Sequence, residues 1–135
     1  MNLQKLYDTY VVAVQPTPSN VTNIVGSLLG CIVRLKEIHY SCNNMDIHKL
    51  SDDIISCVRG FEDRYSEISQ RNGVQITVAS LTVVYPQASD IEGVIQVLYS
   101  IVDSAMADEA VKNICDEFKD QLEQFEYLYT QQINK

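Results

Sequence analysis

The chain has 135 residues, of which 46% are hydrophobic and 21% charged, and its formal net charge is −8. That length suits one domain around one core, and so apolar a composition excludes a disordered chain. The negative charge argues against direct nucleic-acid binding, which draws its affinity from Lys and Arg neutralising phosphates.

The first 71 residues hold seven basic and eight acidic side chains, and residues 72–135 hold three and ten, so the second part carries −7 of the −8. The start, Met1-Asn2-Leu3-Gln4-Lys5-Leu6-Tyr7-Asp8, lacks the basic opening and unbroken apolar segment of a secretory signal. A cytoplasmic setting is therefore expected. Cys31, Cys42, Cys57 and Cys115 form no Cys-x-x-Cys pair and read as small core residues in a reducing compartment.

In chain order, Leu3, Leu6, Tyr7, Tyr10, Val11 and Val14 recur at helical spacing and stop at Pro16, which predicts a short docking helix. Thr17-Pro18 suits an N-cap followed by proline in the first turn. A second helix is expected over 18–40, with Val21, Ile24, Val25, Leu28, Leu29, Ile32 and Leu35 on one stripe. Its apolar run 24–33 is broken by Gly26, Ser27 and Gly30 and closed by Arg34, well short of the roughly 20 residues of a membrane span.

After Asn43-Asn44, the residues Ile47, Leu50, Ile54, Val58, Phe61, Tyr65 and Ile68 predict a third helix, ended by Asn72-Gly73. Lys49 and Asp53, Arg59 and Asp63, and Glu67 and Arg71 are four apart, as on a solvated, self-paired face. Segment 74–85 is ambiguous. Val74, Ile76 and Val78 alternate like a strand, yet Val74, Val78, Leu81 and Tyr85 sit at helical spacing. A lone strand would leave its ladder groups unpaired, so helix is favoured there, ending at Pro86.

Ser89-Asp90-Ile91-Glu92 has the form of a capping box ahead of Ile91, Val94, Ile95, Leu98, Ile101 and Val102. The last helix is expected over 108–132, with Val111, Ile114, Cys115, Phe118, Leu122, Phe125 and Tyr129 on one side. The sum predicts a single all-α domain, a compact antiparallel bundle of five or six helices.

Advancing about 100° per residue from Phe118 sets Glu109, Asp116, Asp120, Glu123 and Tyr127 opposite that apolar stripe. Such a face is solvated by default. Two like charges four apart and an aromatic presented to water beside them also suit a partner-binding surface. Gly26 and Gly30, four apart, permit close backbone approach, either within the fold or as a homodimer seam.

His39, Cys42, His48 and Cys57 match no established zinc spacing, and a local hydrogen bond to Asp52 is the expected role of His48. No nucleophile elbow, His-Glu-x-x-His or glycine-rich nucleotide fingerprint occurs, so no catalytic residue, metal or cofactor is assigned and enzyme activity is not expected. Two functional readings follow. The first is an inhibitor or immunity-type protein whose acidic helical face blocks a basic partner, such as a nuclease toxin or a nucleic-acid-handling protein. The second is a helical adaptor or viral accessory protein that uses a hydrophobic groove or homodimer interface, with Tyr7, Tyr10, Tyr40 and the glycine pair to the fore.

Overall fold

The computed structural model describes residues 20–134, and among them the chain forms four long helices and no strand. They are α1 (Asn20–Ser41), α2 (Met45–Arg71), α3 (Ile91–Ala105) and α4 (Lys112–Ile133). The expected helix over residues 3–14 and the Thr17-Pro18 cap lie outside the described residues. The expectation of five or six helices is therefore corrected to four within 20–134.

Each boundary has a local cause. At the start of α2 the Asn44 side chain accepts hydrogen bonds from the N–H groups of Asp46 and Ile47, at 2.9 and 3.2 Å. At its end Gly73 takes a φ of 93°, the left-handed conformation that a side chain resists. Gly73 N–H then donates to the Gln70 carbonyl and Val74 N–H to that of Ser69, which completes a Schellman cap. The start of α3 differs from the expected capping box by one position. Asp90 is the N-cap, accepting from Gly93 N–H at 2.9 Å, and the Glu92 side chain accepts from Gln96 instead. Before α4, Asp108 caps a short 3-10 turn, Glu109–Val111.

The apolar stripes meet in one core. Val25, Leu28 and Leu35 of α1, Ile54, Val58 and Tyr65 of α2, Val94, Ile95 and Leu98 of α3, and Phe118 and Leu122 of α4 are buried. Each such side chain contributes roughly 1.5–3 kcal/mol by leaving water. Helix α1 packs on α2 and α3, and α4 packs on the same two. The cross-contacts run head to tail. Arg64 meets Glu117 and Cys57 meets Gln121 between α2 and α4, while Asp103 meets Lys119 and Gln96 meets Glu126 between α3 and α4. The expected antiparallel packing is thus present, whereas the charge pairs expected along α2 are not formed among the described residues, and the ion pair that α2 makes is the one from Arg64 to Glu117 of α4.

Segment 74–85 is neither helix nor ladder strand. It holds one 3-10 turn, Val78–Ser80, in which the Ser80 hydroxyl donates to the Thr77 carbonyl and accepts from Thr77 N–H. From Leu81, at φ −92° and ψ 135°, the chain runs as an extended strap along α1. A Cβ built on Gly26 would collide with the Thr82 carbonyl oxygen, and one on Gly30 with that of Val84. Further along, Arg34 Nε and Nη2 donate to the Pro86 carbonyl at 3.2 and 3.0 Å.

The strap thus advances two residues for every four of the helix. Two extended residues cover about 6.6 Å and four helical ones about 6.0 Å, so the two chains stay in step. One of the ladder groups that weighed against an extended segment finds its partner on the helix: Val84 N–H donates to the Gly26 carbonyl at 3.2 Å. The glycine pair serves this approach within the chain, and the seam expected between copies at Gly26 and Gly30 is filled by the chain's own backbone.

Candidate functional site: the acidic face of α4

Glu109, Asp116, Asp120, Glu123 and Tyr127 are all exposed, Tyr127 to 63%. The four from Asp116 to Tyr127 follow one another at four-, three- and four-residue steps, so they form one stripe about 16 Å long on α4. The opposite side of the helix is anchored by Phe118, which stacks on Phe61 of α2 with centroids 4.3 Å apart and planes 6° from parallel. Burial of that side fixes the rotation of α4 and turns the carboxylates outward.

Asp120, Glu123 and Tyr127, with Gln124 and Leu128, line a concavity of about 390 Å³. Glu109 and Asp116 lie outside it, nearer the start of α4. Of the two lysines of α4, Lys112 stands four residues before Asp116 and joins no ion pair among the described residues, while Lys119 is engaged elsewhere. Its Nζ lies 2.9 Å from Asp103 of α3, and that hydrogen bond, more than Asp116 and Glu123, raises its pKa. Among the described residues Asp116, Asp120 and Glu123 take part in no ion pair.

The structure widens the face beyond the sequence reading. Glu123 and Tyr127 border a second concavity, of about 620 Å³, together with Asp90 and Glu92 at the start of α3 and Glu126 and Tyr129 on α4. Gln96 Nε2 donates to both Glu92 and Glu126 at 2.8 Å and holds the two carboxylates beside each other. The Glu126 carboxyl is raised above its ordinary value, first by side-chain hydrogen bonding with Glu92 and then by burial. Next to them the Tyr99 phenol is pushed up to about 12, by burial first and then by Glu126, Glu123 and Glu92. The result is a field of one sign with few cations to cancel it. Sequence spacing finds the α4 stripe, but the α3 carboxylates join it only when antiparallel pairing sets Glu92 opposite Glu126.

Of the four residues His39, Cys42, His48 and Cys57, the two histidines flank the turn that holds Cys42, and Cys57 lies apart. His39 and His48 stack at the turn between α1 and α2, so the expected bond from His48 to Asp52 is replaced by one to the His39 carbonyl. Cys57 faces away from them and its Sγ donates to Gln121 at 3.0 Å. Among the described residues no group of three His, Cys, Asp or Glu side chains is placed to hold a metal ion, and no helix is long and apolar enough to cross a membrane. Comparison with known protein families, characterised proteins and solved structures gives no match to this chain.

Proposed function

We propose that this domain is an inhibitor or immunity-type protein that binds a basic protein through the acidic face of α4. The observation that supports this reading is the exposed stripe of Asp116, Asp120 and Glu123, outside any ion pair among the described residues, running into the exposed ring of Tyr127. A rigid, single-signed surface with an aromatic beside it suits the groove in which a nuclease or nucleic-acid-handling protein takes its phosphate backbone. Carboxylates steer the encounter, and the tyrosine slows dissociation once water is excluded around it. Glu92, Asp90 and Glu126 extend the same field onto α3.

Stopped-flow association and titration calorimetry at low and physiological ionic strength test this reading. Replacing Asp116, Asp120 and Glu123 with lysine should slow association strongly, and Tyr127→Ala should act mainly by speeding dissociation. Binding that barely responds to salt and to the triple replacement would instead support recognition through an apolar groove.

A further inference from the structure

The strap has a second edge. In an extended chain the N–H and C=O of one residue lie on one side and those of the next residue on the other. Thr82 and Val84 turn theirs to α1, where Val84 N–H reaches the Gly26 carbonyl. Val83 and Tyr85 therefore turn theirs outward, and among the described residues these groups have no hydrogen-bond partner. The side chains around them are apolar and exposed: Val83 to 39%, Val84 to 53% and Tyr85 to 56%. An open main-chain edge among exposed β-branched residues is a template for a further strand.

We propose that this edge pairs antiparallel with the same edge of a second copy of the chain, about a two-fold axis at Val83. Two features select a second copy as the occupant. The edge is self-complementary. With Val83 opposite Val83, each copy's Val83 N–H donates to the other's Val83 carbonyl, and each Tyr85 N–H donates to the other's Leu81 carbonyl. Leu81 N–H is already bonded to the Val78 carbonyl and does not return the bond to the other copy's Tyr85, so the ladder consists of these four bonds. The second feature is charge. No Asp, Glu, Lys or Arg occurs between Arg71 and Asp90, in a chain whose net charge is −8. Two copies repel each other across acidic faces such as that of α4, and this uncharged stretch lets them meet. The pairing does not depend on the partner reading of the α4 face.

So short a ladder belongs with weak, transient contacts. The test is sedimentation equilibrium of the full chain up to about 1 mM, for the parent, Val83→Pro and Val83→Lys. Val83→Pro removes the outward N–H without touching the bond from Val84 to Gly26, and Val83→Lys sets a charge on the edge. Circular dichroism checks each fold, and Val83→Lys carries the test where Val83→Pro unfolds. The expected result is a parent dimer whose dissociation constant rises roughly tenfold or more in the folded variants. A parent monomeric throughout, or a dimer that persists unchanged in both variants, overturns the proposal.

Discussion

His39 and His48 hold each other's main chain. Nδ1 of His39 lies 2.9 Å from the His48 carbonyl oxygen and Nδ1 of His48 lies 2.8 Å from that of His39, with the rings stacked at 3.7 Å between centroids. A carbonyl only accepts, so both rings carry their hydrogen on Nδ1. The clasp ties the last turn of α1 to the first turn of α2 across the short loop at Cys42 to Asn44. His48→Ala should therefore cost about 1–3 kcal/mol, since it leaves the half-buried His39 carbonyl without its donor. Chemical denaturation reads the loss, and hydrogen exchange should rise first at that turn. An unchanged midpoint would mean that water replaces the ring at no cost.

Three glycines in helices should respond in opposite directions. Gly30→Ala forces a Cβ into the Val84 carbonyl, and Gly26→Ala does the same at Thr82. Each should destabilise by about 1–3 kcal/mol, against which the gain in helix propensity is roughly 1 kcal/mol. Gly60 of α2 is exposed, and among the described residues a Cβ there meets nothing within 4 Å. Gly60→Ala should thus stabilise by up to about 1 kcal/mol. Urea midpoints measure all three, and a stabilising Gly30→Ala would show that the strap does not rest on α1.

Phe118 and Leu122 are 1% and 0% exposed at the centre of the α4 contact. Phe118→Ala and Leu122→Ala should each cost about 2–5 kcal/mol, through lost burial and the cavity left behind. Midpoints indistinguishable from the parent for both would invert the assigned faces of α4.

Stability should fall with rising alkalinity. Burial pushes Cys31 up to about 12 and Cys57 and Cys115 up to about 11, from an ordinary 9.0. Burial likewise raises Tyr65 to about 12. With the folded pKa above the unfolded one, the unfolded chain sheds its protons first, so these groups contribute fully below pH 9.0 and progressively lose that contribution toward about 12. Denaturation near pH 8 and near pH 10 checks the sign. In the same window a disulfide reagent should label Cys42 first and the buried Cys31 and Cys115 only on unfolding. Equal midpoints at both pH values, or rapid labelling of Cys31, would contradict the buried placement.

The four helices in residues 20–134 were legible because periodicity and punctuation agree: Asn44 caps, Gly73 stops, and the stripe from Ile114 to Leu122 repeats at three and four. Segment 74–85 was not legible. Its β-branched residues favour an extended chain, but what that chain packs on is a helix whose Gly26 and Gly30 lie far from Thr82 and Val84 in sequence. The α4 stripe could be read from angle alone, whereas Glu92 and Asp90 join it only through the pairing of α3 with α4. The charge pairs expected along α2 do not form because exposed ion pairs four apart gain too little to hold two long side chains in one geometry.

Capture from an extract of the native host tests whether the acidic face of α4 binds a basic protein. Two baits are used side by side, the parent chain and the variant with lysine at Asp116, Asp120 and Glu123, after circular dichroism shows equal helicity. These exposed replacements should each shift stability by less than about 0.5 kcal/mol, so the baits differ in charge and not in fold. The expected result is one strongly basic protein retained by the parent at physiological salt, released as salt is raised, and missing from the variant. The same set of proteins on both baits, released at the same salt, would contradict the claim and reduce the carboxylates of α4 to a solubilising surface.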